Sequence, residues 1–380
     1  MKKGTVGKIA LSIISLAAVL FCSFFIKFFS LLLGSPAVYF LVPIYIFAIA
    51  GFCALNSIWK FFDDKKQSKI LLWSSVAAIA SLGAIEAARY YNNSHEAAYE
   101  IDPFRMPLVA LNEPSELAIA NDLPRIDGAT ALYPLYASFA LNTYPKDIDA
   151  TSKYHQIPNI ECSTTTGAYE RLISGKADII FVAGPSESQL QAARQAGVEL
   201  KLTPIGYEAF VFFVHKANSV DGLDIESIQR IYSGKATSWK EFGGSGKIRA
   251  YQRNEGSGSQ TALESIMAGT PLMQAPNEIY LSAMDGMVRA ISTYRNYKSA
   301  IGYSFLFYIT EMAQNSDIKL LKVNGVYPSR ESIANGTYPV ASEFYAVTAG
   351  SDNPNIEALI DWILSGQGQY IVKEVGYTPL

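Results

Sequence analysis

Cysteine is scarce in this chain: 380 residues carry three, Cys22, Cys53 and Cys162. The first two fall in strongly apolar stretches. Only Cys162 lies in the polar remainder, so there is no disulfide framework and no paired-thiol metal spacing. Histidine is equally sparse. His95, His155 and His215 are scattered, which excludes a zinc or iron site of ordinary spacing and leaves no expected metal or cofactor. The net charge of −3 excludes a strongly basic nucleic-acid binder. No Gly-x-Ser-x-Gly elbow and no Ser/His/Asp constellation is visible, which argues against an enzyme. Low-complexity tracts and internal repeats are also missing.

What is present divides in two. Three apolar runs cover residues 9–33, 38–59 and 70–90. A helix of about 20 such residues crosses a bilayer core of roughly 30 Å. The first run alone would pass for a signal peptide. Two more follow it, and Leu20-Phe21-Cys22 is a poor lipoprotein cleavage site because Phe21 is too large. The sequence therefore predicts a retained all-α, three-helix transmembrane region over residues 1–91. Lys2, Lys3 and Lys8 flank the first run, and Lys60, Lys65, Lys66 and Lys69 separate the second from the third. Gly34-Ser35-Pro36-Ala37 carries no charge. Basic loops stay inside, so the N-terminus is expected in the cytoplasm and the chain after Tyr90 outside.

Residues 92–124 are polar and dotted with Pro103, Pro107 and Pro114, which reads as a linker and an irregular lead-in. From Arg125 onward strand-like runs alternate with helical patterns. Asp178-Ile179-Ile180-Phe181-Val182 and Ala209-Phe210-Val211-Phe212-Phe213-Val214 read as buried strands. Residues 132–141, 168–174 and 225–232 read as helices. Such alternation predicts an α/β domain with largely parallel sheets. About 260 residues exceed one small core, so two lobes are expected.

The segment Arg253-Asn254-Glu255-Gly256-Ser257-Gly258-Ser259-Gln260 is the densest in chemistry. It sets a guanidinium, two glycines and two hydroxyls just ahead of a helix. Glycines let backbone N–H groups converge, and a helix's first turn leaves such donors unpaired. With the helix dipole and one permanent cation, this makes an anion cradle. A plain Gly/Ser turn capping a helix fits the same residues.

Five segments in order carry a family resemblance. They are Asp127-Gly128-Ala129-Thr130-Ala131-Leu132-Tyr133-Pro134, and Ser163-Thr164-Thr165-Thr166-Gly167 with the following Arg171-Leu172-Ile173-Ser174-Gly175-Lys176-Ala177-Asp178. Then come Ile231-Tyr232-Ser233-Gly234-Lys235-Ala236-Thr237-Ser238-Trp239-Lys240, the Arg253 loop, and residues 353–380. Together they resemble the phosphate-binding-protein family of ABC-transporter solute receptors, which have the two-lobed class II periplasmic binding fold. The resemblance covers residues 125–380. It implies one lobe over about 125–206 and 345–380 and another over about 207–344, joined by crossing segments near 204–214 and 340–347 on which the lobes would close around an anion. A membrane region is not part of the family's usual pattern.

The resemblance also implies a ligand set. Thr130 and the N–H of Ala131 come from the first loop, and Thr165 and Thr166 from the second. Arg253, Ser257, the N–H of Gly258, and Ser259 come from the third. Glu255 matches an acidic position that moderates the arginine. Each has a structural alternative: the threonines as helix caps, Arg253 as a surface ion pair with Glu255. One departure matters. Family members that bind phosphate carry an acid just after the second strand, where it accepts the proton of hydrogen phosphate. Here that place reads Ala183-Gly184-Pro185, and Glu187 is the nearest carboxylate in sequence. Phosphate leads as ligand, with sulfate or another small oxyanion as the alternative. Three function classes fit: a membrane-anchored receptor delivering an oxyanion to ABC-transporter subunits, a membrane-tethered sensor acting through a partner, and, third, an extracellular enzyme.

Overall fold

A fifteen-residue strand organises the polar part of the chain. The computed structural model describes residues 101–145, 157–274, 280–281, 284–292 and 298–380, with scattered positions between 49 and 76. Contacts divide the chain into two compact units, Met1–Ala98 and Tyr99–Leu380. The three apolar runs lie outside the described residues, apart from isolated helical positions such as Cys53 and Trp73. Among the described residues, no helix is long and apolar enough to cross a membrane.

The second unit is α/β. Its strands are β1 (Ile126–Gly128), β2 (Ile179–Val182), β3 (Lys201–His215), β4 (Arg249–Ala250), β5 (Ala300–Phe305), β6 (Ile318–Leu320) and β7 (Ala341–Thr348). They form a seven-stranded sheet in the order β1-β2-β7-β3-β5-β4, with β6 also on β3. The N-terminal half of β3 pairs with β7 through residues 201–209. Its C-terminal half pairs with β5 through residues 210–214. One strand thus belongs to both lobes, and β7 runs antiparallel beside its first half. These are the two crossing segments that the sequence suggests. Residues 209–214 are all buried, which explains their unbroken apolar run: a strand covered on both faces has no polar alternation. The sheet is more mixed than a parallel reading predicts, because both crossing strands pair antiparallel.

The helices of eight residues or more are α1 (Tyr133–Thr143), α2 (Thr164–Ile173), α3 (Glu187–Ala196), α4 (Ile225–Tyr232), α5 (Gly258–Met267), α6 (Met284–Ser292), α7 (Ile356–Leu364) and α8 (Gly366–Val375) among the described residues. Trp239 is fully buried, with its indole N–H donating to Ser299 O at 2.9 Å, so it packs its lobe. Tyr303 is likewise buried, on β5, opposite Phe212 of β3.

The lead-in is docked rather than free. The Val109 N–H donates to Ser138 Oγ at 2.9 Å, and Leu111 N–H to Asn142 Oδ1 at 2.8 Å. Ile119 is buried and its N–H donates to Thr143 O at 2.7 Å. Prolines remove donors and break helices. Polar side chains on one face of α1 satisfy the extended backbone that results.

Candidate functional site

Three helical first turns line one cavity of about 320 Å³. The first is a short 3-10 turn, Thr130–Leu132, that leads directly into α1. Neither Thr130 nor any other side chain caps that turn or α1. The capping alternative for Thr130 therefore fails, and its residue lines the cavity. Pro134 supports the entry, because proline suits a helix's first turn.

The second is the start of α2. Sequence places this helix from about residue 168, but it begins at Thr164. Ser163 precedes it without a side-chain cap bond. Threonine is a weak helix former, which hid the turn. The cost is visible in Thr164, whose φ is +68°. A non-glycine residue there stores roughly 1–3 kcal/mol of strain, and such positions gather at ligand sites. Thr164, Thr165 and Thr166 all line the cavity.

Beneath these two turns lies a buried anchor. Asp127 is fully buried. It accepts from the N–H groups of Gly128 at 2.7 Å and Ser163 at 2.9 Å, and from the Ser163 hydroxyl. Arg171 Nε lies 2.8 Å from its carboxylate. One carboxylate thus fixes the end of β1 against the start of α2. Cys162 belongs to the same floor, with its thiol beside the Thr130 and Tyr136 hydroxyls; burial raises its pKa.

The third turn opens α5. Gly256 adopts φ +76°, a left-handed value that glycine takes without cost. Ser257 is the N-cap, its hydroxyl accepting from the Gln260 N–H at 3.3 Å. Capping and cavity lining coexist here, since Ser257 does both. Arg253 is buried and lines the same space. Its backbone N–H donates to Gln260 Oε1 at 3.1 Å and to the Tyr303 hydroxyl at 2.8 Å, which fixes the arginine's base. Ser259 is 1% exposed, and its Oγ has no hydrogen-bond partner among the described residues. A buried donor left unmet costs about 1–3 kcal/mol, so its partner is to be sought in a ligand.

Every expected residue but one reaches this cavity or its edge. Thr130, Ala131, Thr165, Thr166, Arg253, Ser257, Gly258 and Ser259 line it. Glu255 is exposed and does not. Glu187 does not stand in for the missing acid. It begins α3 and pairs with Arg194 at 2.5 Å. The two lobes meet across the cleft. Gln189 Nε2 donates to Gly256 O at 2.9 Å. A Cβ placed on Gly258 would sit 3.2 Å from Ala183 Cβ and 3.3 Å from Thr165 Oγ1, both on the opposite lobe.

Other lining residues come from outside the three turns and were not legible as site residues. They include Glu208 on β3, Ser342, Glu343 and Phe344 on β7, Phe305, Tyr308 and Tyr377. Tyr377 donates its hydroxyl to Ala131 O at 2.6 Å, and its ring stacks on Phe307 at 4.4 Å. Glu208 faces Ser342 in the strand register and is buried. Its Oε1 accepts from the Ala209 N–H at 2.9 Å, while Oε2 has no partner among the described residues. Burial pushes its pKa to about 8; the amides of Ala209 and Phe307 and the Arg330 cation oppose the rise, and Glu311 adds to it.

Taken together, the cleft offers hydroxyls, first-turn amides and one guanidinium, the donor set for a small oxyanion. A family model for a PBP superfamily domain matches residues 118–367. The phosphate-binding protein PstS of Borreliella burgdorferi is 26% identical over 184 residues, 47% of this chain and 65% of that protein. PstS of Staphylococcus aureus is 25% identical over 224 residues, 56% of this chain and 66% of that protein. The chain spans just under two-thirds of the length of these relatives. Among solved structures, a phosphate ABC transporter substrate-binding protein from Clostridium perfringens with bound phosphate aligns at TM-score 0.52 and 24% identity, over 69% of this chain and 99% of that one. An ABC-type phosphate transport receptor from Vibrio cholerae aligns at TM-score 0.50 and 20% identity, over 67% and 99%. Both share the fold. By their names, these relatives are binding proteins rather than enzymes.

Proposed function

Since this chain belongs to the PBP superfamily, we propose that it is a membrane-anchored, extracytoplasmic binding protein for a phosphoryl oxyanion, with inorganic phosphate the simplest ligand. The observation that carries the reading is the convergence of Thr130, Thr165, Arg253 and the α5 turn on one cavity. Neutral donors supply direction, and Arg253 supplies charge. Calorimetric titration of the full chain in detergent with phosphate and with sulfate tests it. Saturable binding of phosphate is expected; no heat with either anion would overturn the reading.

The three apolar runs support a membrane anchor, and the lysine-rich loop around Lys65 supports a cytoplasmic N-terminus. Delivery to ABC-transporter subunits is the role that fits a two-lobed receptor held at a membrane. Protease added to intact cells, after any outer membrane is opened, is expected to digest the region 99–380. Complete protection would reverse the orientation.

Lobe closure is sterically tight at Gly258. A Gly258→Val side chain meets Ala183 and Thr165 across the cleft. Overpacking of this kind costs about 1–3 kcal/mol. The lobes relieve it by opening, so phosphate affinity should fall roughly ten- to a hundredfold. Thermal unfolding should move little, and an unchanged affinity would mean that closure does not bring α5 against Ala183.

A further inference from the structure

The cleft is larger than a tetrahedral anion needs. Liquid water occupies about 30 Å³ per molecule. The cavity of about 320 Å³ therefore has room for a ligand well beyond a five-atom oxyanion. Its extra wall is apolar and begins at the cradle itself. The Phe305 ring lies 3.8 Å from the Cβ position of Gly258, and the Ala183 methyl lies 3.2 Å from it. Phe344, Tyr308, Tyr377 and Ile101 continue that wall.

The chemistry at Ala183 points the same way. A monoprotonated phosphate brings an O–H donor into the cleft, and a buried donor without an acceptor costs about 1–3 kcal/mol. Ala183, beside the cradle, offers that proton only a methyl group. Two carboxyl groups line the cavity, Glu343 and Glu208. Glu343 accepts from the Tyr345 hydroxyl at 2.8 Å. Glu208 commits Oε1 to the Ala209 amide and leaves Oε2 unpartnered among the described residues, but a buried carboxyl that keeps its own proton at neutral pH accepts a second one poorly. An ester or phosphonate carbon occupies the same place with no proton to satisfy, and it directs a substituent along the apolar wall.

Resting on the reading of this cleft as a phosphoryl site, we infer that its preferred ligand is a phosphomonoester or phosphonate with an apolar substituent, not free hydrogen phosphate. The test is calorimetry on the full chain in detergent with inorganic phosphate, phenyl phosphate and phenylphosphonate. Titrations run at about pH 7, where a phosphomonoester with second pKa near 6 is mostly ionised and Glu208 still holds its proton. At least one of the two phenyl ligands is expected to bind tenfold or more tightly than inorganic phosphate. Ala183→Asp, which places a carboxylate against the substituent, is expected to erase that preference. If phosphate binds and neither phenyl ligand is tenfold tighter, the inference fails while the phosphoryl site stands. If none of the three binds, the site reading fails and takes the inference with it. Should Ala183→Asp not fold, the comparison on the parent chain still decides.

Discussion

Arg253→Ala is expected to weaken phosphate binding at least about thirtyfold, as read by calorimetry. The guanidinium is buried in the cleft. Removing one side of a desolvated, charge-assisted contact costs roughly 2–5 kcal/mol, much of it from the anion left under-compensated. Each 1.4 kcal/mol is tenfold in affinity, so about thirtyfold is the lower bound. Arg253→Lys should recover only part of the loss, because an ammonium keeps the charge and loses the planar fork. Ser257→Ala should cost less affinity and also some stability. Its hydroxyl caps α5 through the Gln260 N–H, and a lost cap is worth about 1 kcal/mol. Undiminished binding by Arg253→Ala would remove this loop from the anion site.

The second large effect is a pH dependence of stability set by Glu208. Its folded pKa is about 8, against an ordinary value of 4.5. Below 4.5 both folded and unfolded chains carry the proton. Between 4.5 and 8 the unfolded chain releases it and the folded chain keeps it. Each pH unit in that window then favours unfolding by about 1.4 kcal/mol. Stability contributed by this group is complete at the acid end and is lost as pH rises through 8, a span on the order of 5 kcal/mol. Glu208→Gln keeps the shape without the titration. Guanidinium unfolding of the two proteins from about pH 5 to pH 8.5 should show the parent falling relative to the variant. Parallel curves across that range would place the Glu208 proton elsewhere.

The α5 turn that lines the cavity was legible because its chemistry is local. Arg253, Gly256, Ser257, Gly258 and Ser259 lie within seven positions, and glycine, hydroxyl and guanidinium announce a turn that receives an anion. The crossing strands were legible too, since a strand covered on both faces reads as unbroken apolar residues. The start of α2 was hidden because three threonines look like a loop. They form a first turn in which Thr164 sits at positive φ. The Glu208 side of the cavity was hidden for another reason. Glu208 and Ser342 come together only through strand register, across 134 positions (342 − 208). Asp127 gave no sign of its fixing role, because its partners Ser163 and Arg171 lie 36 and 44 positions further along (163 − 127, 171 − 127).

The order of strands in the sheet has a consequence for how the molecule is made. β7 lies between β2 and β3, in the middle of the first lobe. It is synthesised after the whole second lobe. From Val182 to Ala341 the ribosome adds roughly 160 residues (341 − 182), which at about 5–20 residues per second takes on the order of 8–30 s. During that interval one edge of β2 has no partner, although Ile179, Ile180, Phe181 and Val182 are all completely buried in the finished fold. Open apolar edges of this kind recruit other chains. The second lobe can condense first, around contacts that are closer in sequence, and the first lobe can close only when β7 arrives. Biogenesis should therefore depend on whatever shields β2 during the wait.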